Sequence, residues 1–225
     1  MIQIHNDTGI KNHAEYIKIQ LDRMSVDPIE FAQNYINWAG INLLDRSKSK
    51  ILDIGCGNGA ILSTLITLGF NPENLYGVDI NEEKLKSLNI NNIFNADMHD
   101  LSFFKNDTFD CVVSTHSLEH ALDPIQVLNE LKRVVKSDGK ILIVIPYPEP
   151  DKYHNVHVGK FALKTDYKTS INDRNALNYC EVLTNIGFKI DKKYIEVVDE
   201  GLSKHWNIKH NPNGRQNEIW TVLSK

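Results

Sequence analysis

The segment Ile51-Leu52-Asp53-Ile54 leads straight into Gly55-Cys56-Gly57-Asn58-Gly59, and Ala60 to Leu68 then reads as a helix stopped by Gly69. A strand, a glycine turn and a helix in that order leave backbone N–H groups unscreened at the positive end of a helix, where a ligand can approach the chain closely. Twenty positions after Gly59, Asp79 ends a second short apolar run that begins at Leu75. A carboxylate at such a strand end is costly without partners, and it can accept both hydroxyl hydrogens of a ribose. Together the two features describe a nucleoside-binding crevice.

The rest of the chain repeats the same alternation. Glu82 to Leu88 reads as a helix behind an Asn81 cap, Asn92 to Asn95 as a third strand and Phe109 to Ser114 as a fourth. Asp123 caps the next helix, Pro124 opens it, Ile125, Leu128, Leu131 and Val135 recur at helical spacing, and Gly139 follows its end. Ile141 to Ile145 is a fifth strand ended by Pro146. A helix carrying Leu177, Cys180 and Leu183 stops at Gly187, and Phe188 to Val198 and Glu218 to Leu223 form two closing strands. Ahead of the first strand, Asp27, Pro28 and Glu30 mark the start of a helix over Phe31 to Trp38. The pattern is that of a doubly wound α/β sheet. The expected organisation is an N-terminal helical segment over 1–48 and one domain over 49–225, whose polar stretch at about 147–172 is a long loop or lid.

Composition narrows the function. With 29 acidic and 25 basic residues and a formal net charge of -4, the chain offers no basic field for a nucleic-acid backbone. Its longest clean apolar run, Ile141 to Ile145, is far below the roughly 20 residues that span a bilayer, so no membrane partner and a cytoplasmic location are expected. Cys56, Cys111 and Cys180 are widely spaced, which suggests neither a disulfide framework nor a thiolate zinc site.

Glycine spacing alone does not identify the ligand, because Gly55, Gly57 and Ala60 also satisfy the permissive dinucleotide fingerprint of an NAD(P)-dependent reductase. The landmarks around it do more. Ile51 to Gly59 resembles motif I of the class I S-adenosylmethionine (SAM)-dependent methyltransferases. The likeness runs from about Lys50 to Pro146 through Tyr76-Gly77-Val78-Asp79, Asn95-Ala96-Asp97-Met98, Phe109-Asp110-Cys111-Val112-Val113-Ser114, Ser117-Leu118-Glu119-His120 and Leu128-x-Glu130-x-x-Arg133-Val134. The resemblance implies a Rossmann-like, mostly parallel seven-stranded sheet with a C-terminal antiparallel hairpin. It implies SAM as cofactor across the carboxyl ends of strands one to four. Gly55 and Gly57 would approach its methionyl part, Asp53 would help hold its ammonium or order the loop, and Cys56 and Gly59 belong to the same cofactor-binding loop; Asp79 would take its ribose hydroxyls and Ile80 would face its adenine ring. Asp97 would accept from the adenine amino group with Met98 packed nearby, and Ser114 would close the site from strand four. For Asp97, a turn or helix cap is the competing reading.

In this family the acceptor half varies, so the candidate chemistry lies after strands four and five. His116 and His120 follow strand four, close to where the methyl group should emerge; His154 and His157, with Asp151 and Tyr153, lie in the loop after strand five. Any of the four imidazoles could serve as a base, and convergence of His154, His157, His116 and Glu119 would make a divalent metal site. Solvated histidines in the loop, and a Glu119-His120 pair that orders a turn, are the structural alternatives. His205, His210 and Arg215 could add a positive rim. A polar, histidine- and tyrosine-bearing lid points to a small polar acceptor, a sugar or nucleotide sugar methylated on oxygen, rather than a lipid or quinone. A SAM-binding partner protein without catalysis is the remaining alternative. The acceptor atom, metal dependence and oligomeric state are left open by the sequence.

Overall fold

The computed structural model describes residues 29–86, 88–147, 163–164, 177–196 and 217–225. Its main sheet contains seven strands: β1 Ile51–Ile54, β2 Leu75–Asp79, β3 Asn92–Asn95, β4 Phe109–Thr115, β5 Val135–Tyr147, β8 Lys189–Glu196 and β9 Asn217–Ser224. The spatial order is β3-β2-β1-β4-β5-β9-β8, with the two-residue strands β6 Leu163–Lys164 and β7 Leu177–Asn178 paired separately. The first five strands run parallel, and β9 enters antiparallel between β5 and β8. This is the doubly wound sheet with a closing hairpin that the sequence implied. The strand order reverses beside β1, so the crevice lies at the carboxyl ends of β1 and β4, where such folds bind ligands.

Helices α1 Ile29–Ala39, α2 Ala60–Thr67, α3 Glu82–Leu85, α4 Pro124–Val134 and α5 Tyr179–Ile186 complete the chain in order. Strand alternation divides the core in two. Leu52, Ile54, Val112, Ile141, Ile143 and Ile145 pack with Val127, Leu128 and Leu131 of α4 and with Val182 and Leu183 of α5. On the other face Ile51, Cys111, Val113, Leu142 and Val144 pack with Tyr35 and Ile36 of α1 and Ile61, Leu62 and Leu65 of α2. Both faces of β1, β4 and β5 are therefore buried, as their nearly continuous apolar runs require. Among the described residues, no helix is long and apolar enough to cross a membrane.

Four local expectations need correction. The strand expected at Ile141–Ile145 extends through Pro146 to Tyr147; pairing with β4 ends at Val144, so among the described residues Pro146 is paired on the β9 side alone, an edge position that tolerates a residue without an N–H. Gly139 lies inside β5 and does not cap α4. A methyl group there would meet the Asp110 and Phe109 carbonyls at 3.0 Å, so close strand packing is what requires glycine. The helix expected at Glu82–Leu88 is a single turn, its first N–H groups at Glu83 and Lys84 capped by the Asn81 side chain. Leu177 belongs to β7, and the helix after it begins at Tyr179. The Asp27/Pro28 start signal and nearly all of the expected lid lie outside the described residues.

Candidate active site

The glycine loop is shaped by its neighbours. Gly55, Gly57 and Gly59 have φ of 69°, 52° and 75°, the left-handed region that side chains disfavour. At Gly55 conformation and space agree, since a methyl group would stand 2.4 Å from Ser117 Cβ. Ser117 is fixed by donating to the Ile54 carbonyl at 2.8 Å, and its hydroxyl lies 2.7 Å from that of buried Ser114. The turn after β4 thus packs directly on the loop after β1. Gly77, quoted above only as part of a resemblance, has a steric reason as well: a methyl group there would lie within 3 Å of Ile93, Cys56 and Leu62 side chains.

Asp79 organises the loop from β2. Its Oδ2 accepts the Gly57 N–H at 2.8 Å and its Oδ1 accepts the Asn81 N–H at 2.8 Å, while the Gly55 and Cys56 N–H groups bond to the Val78 carbonyl. Asp79 and Ile80 are half-buried at the crevice edge, and Asp53 is buried beneath it. Burial, and then the charges of Asp53 and Asp79, push the Cys56 thiol far up, so Cys56 packs as a neutral group and is no nucleophile. Asp97 makes a turn in which Oδ1 accepts the His99 N–H at 2.9 Å and pairs with His99 Nδ1; His99 Nε2 in turn accepts the Asp123 N–H at 3.0 Å. That chain links the loop after β3 to the cap of α4. Met98 packs against the core beside it. Three glycines with left-handed backbone on the loop after β1 and the Asp79 carboxylate ending β2 line a crevice whose donors and acceptors could hold a nucleoside cofactor such as SAM.

Motif residues Glu130 and Arg133 prove to be a clasp. Arg133 donates to the Leu101 and Phe104 carbonyls at 2.7 and 2.8 Å and to Glu130, and Glu130 accepts the Leu101 N–H at 2.8 Å. They fasten the segment after β3 to α4.

On either side of Ser117 lies a largely buried ionic cluster. His116 follows β4 with φ 49°, a strained value for a residue other than glycine. Its Nε2 is 2.9 Å from Glu218 Oε1 of β9, and its Nδ1 is 3.7 Å from Glu119 Oε1, an ion-pair rather than a hydrogen-bond distance. Tyr35 of α1 donates to both Glu218 oxygens at 3.0 Å, and the Trp220 indole N–H donates to Oε2 at 2.8 Å. His120 Nε2 stands 3.8 Å from Glu119 Oε1. Burial alone would hold His116 neutral, but Glu119 and Glu218 outweigh it and raise its pKa well above the usual histidine range. Burial pushes Glu119 the other way; His120 and His116 prevail and keep its carboxyl below the usual range. His116 is accordingly an imidazolium between two carboxylates.

Of the four candidate histidines, the structure brings His116 and His120 together around Glu119; His154 and His157 lie outside the described residues, as do His205, His210 and Arg215. Among the described residues no group of three or more His, Cys, Asp or Glu side chains could hold a metal ion. Tyr35 and Glu218 were not anticipated. A signal existed, because Glu218 is in phase with Trp220 and Val222 on a buried strand face, where a charge demands partners.

Residues 52–143 match the family model described as a methyltransferase domain. The ubiquinone biosynthesis O-methyltransferase of Neisseria meningitidis is 25% identical over 130 residues, 53% of this chain and 54% of that protein. The chain thus spans about half the length of the curated relatives it matches. A solved structure of a putative SAM-dependent methyltransferase from Listeria monocytogenes superposes with a TM-score of 0.57 at 15% identity, covering 86% of this chain and 99% of that one. A cyclase superposes at TM-score 0.63 with 13% identity, covering 87% and 80%. Likeness at that level shows the fold, and the cyclase shows that the fold does not fix the chemistry.

Proposed function

We propose that this chain, which belongs to the class I SAM-dependent methyltransferases, transfers a methyl group to a hydroxyl of a small polar acceptor. The observation that carries this reading is the His116–Glu119–Glu218 cluster, a buried set of charged groups at the carboxyl end of β4, in the same turn as the Ser117 that packs on the loop after β1. An apolar acceptor such as a long-chain quinone would meet the wrong surface there. SAM, when bound, supplies an electrophilic methyl on a sulfonium; the protein contributes position and a dry site.

Asp53, Gly55, Cys56, Gly57 and Gly59 hold the amino-acid end of SAM, Asp79 and Ile80 its nucleoside, and Asp97 and Met98 its base, with Ser114 behind. Of the histidines, His120 is the base candidate, half-buried beside Glu119, whereas His116 as an imidazolium acts as a charge partner. His154 and His157, outside the described residues, are the other two proposed bases. Sugars and nucleotide sugars are the first acceptors to assay. Dihydroxyphenols come next, because the Neisseria relative is named for O-methylation in ubiquinone biosynthesis.

Thermal shift with SAM, S-adenosylhomocysteine, NAD and NADP, followed by S-adenosylhomocysteine release from a panel of those hydroxyl compounds, tests the proposal. Stabilisation by the nicotinamide cofactors alone would make the chain a reductase. SAM binding with no turnover on any hydroxyl compound would make it a binding protein.

A further inference from the structure

Glu218 and Glu119 flank the same imidazolium, yet the fold treats them differently. Glu218 is 2% exposed and takes hydrogen bonds from the Tyr35 hydroxyl, the Trp220 indole and His116, so both its oxygens are engaged. Glu119 is 8% exposed, its Oε1 faces the two histidines at 3.7 and 3.8 Å, and its Oε2 is buried with no hydrogen-bond partner among the described residues. An ionised carboxylate oxygen in that position costs stability until a donor meets it. With His116 charged, Glu119 and Glu218 also leave the trio one negative charge in excess. Both features, together with the strained φ of His116, sit in the turn that packs on the cofactor loop through Ser117 and Gly55. Strain and unmet polar groups held in place by the surrounding fold are the marks of a site kept for a ligand.

We propose that Glu119 Oε2 is the anchor of the methyl acceptor, accepting the hydrogen of the hydroxyl to be methylated, and that Glu218, Tyr35 and Trp220 are positioning residues that hold His116 and through it Glu119. The inference rests on the methyltransferase reading and identifies the acceptor's recognition group as a neutral or cationic hydrogen-bond donor. An anionic group presented to Glu119 would be repelled.

Binding of two cofactor analogues tests this without knowledge of the acceptor. Sinefungin carries an amine where SAM carries its sulfonium methyl and so presents an N–H donor toward the acceptor position; S-adenosylhomocysteine presents nothing there. By calorimetry, Glu119→Gln should weaken sinefungin by about ten- to a hundredfold, the range for losing a charge-assisted hydrogen bond, and leave S-adenosylhomocysteine within about twofold. Its Tm should fall by no more than about 2 °C, because Glu119 faces the two histidines at 3.7 and 3.8 Å and its Oε2 has no hydrogen bond among the described residues for the substitution to break. Glu218→Gln, which removes the charge facing His116 and turns one of the two acceptor oxygens that Tyr35, Trp220 and His116 use into an NH2 donor, should lower Tm by several degrees and serves as the structural contrast. An unchanged sinefungin to S-adenosylhomocysteine affinity ratio in Glu119→Gln, or a Tm loss matching that of Glu218→Gln, overturns the proposal. Wild-type protein that binds neither analogue instead removes the methyltransferase reading on which it rests.

Discussion

Tyr35 and Glu218 lie 183 positions apart, and the Tyr35 hydroxyl donates to both oxygens of the buried Glu218 carboxylate at 3.0 Å. That bond ties the helix ahead of the sheet to the last strand of the sheet, over the turn that carries His116. Tyr35→Phe keeps the ring, including its edge-to-face contact with Trp220 at 4.8 Å, and removes only the donor. Losing a hydrogen bond to a buried charge costs about 1.5 to 3 kcal/mol, which urea unfolding would register. A variant as stable as wild type would mean that α1 is held by apolar packing alone.

Gly55 gives a sharper test of the cofactor loop. Gly55→Ala places a methyl group 2.4 Å from Ser117 Cβ at φ 69°, so either the loop after β1 or the turn after β4 must move. SAM affinity should fall at least tenfold, about 1.4 kcal/mol, while the Ser117→Gly, Gly55→Ala double variant, which removes the obstructing side chain, should recover part of the loss. Equal affinities in wild type and Gly55→Ala would separate this contact from cofactor binding.

Arg133 carries a prediction about stability and not about chemistry. Its guanidinium holds the Leu101 and Phe104 carbonyls and the Glu130 carboxylate in one fork. Arg133→Lys cannot reproduce that planar arrangement and should lose about 1 to 2 kcal/mol, with SAM affinity close to wild type. A large loss of SAM affinity without loss of stability would place Arg133 in the cofactor site instead.

The cofactor half was legible because its signals are local. Strand, glycine turn, helix and a carboxylate on the next strand lie within Ile51 to Asp79, and their spacing alone determines which backbone groups face the crevice. The ionic cluster was not, because its groups come from α1, the turn after β4 and β9, and the sheet order is what brings Tyr35, His116 and Glu218 within 3.4 Å of one another. His116 illustrates the difference. A histidine after β4 reads from sequence as a base, yet its protonation is raised by Glu119 three positions on together with Glu218, a carboxylate 102 residues away. Pro146 and Gly139 misled for a related reason: each ends an element in isolation, but sheet neighbours supply the pairing that lets β5 run through both.

The charge on His116 makes stability depend on pH in a direction that can be checked. Its folded-state pKa is raised well above 6.5, so the folded protein binds a proton that the unfolded chain releases at lower pH. The stabilisation is therefore complete below about pH 6.5 and is lost as pH rises through the folded-state value. Glu119 works oppositely. Its carboxyl is held below the ordinary 4.5, so its contribution is present above that value and is lost as pH falls through the lower folded-state value. Stability should then be greatest from about pH 5 to 6.5 as far as these two groups set it, and should decline on the alkaline side. His116→Asn isolates that decline, because asparagine tolerates the left-handed backbone at φ 49° but carries no titrating proton. Urea midpoints measured from pH 6 to 9.5 should fall more steeply with pH for wild type than for the variant, which starts lower and stays flatter. Parallel curves would show that His116 does not hold its proton in the folded state, and the ionic description of the cluster would have to be abandoned.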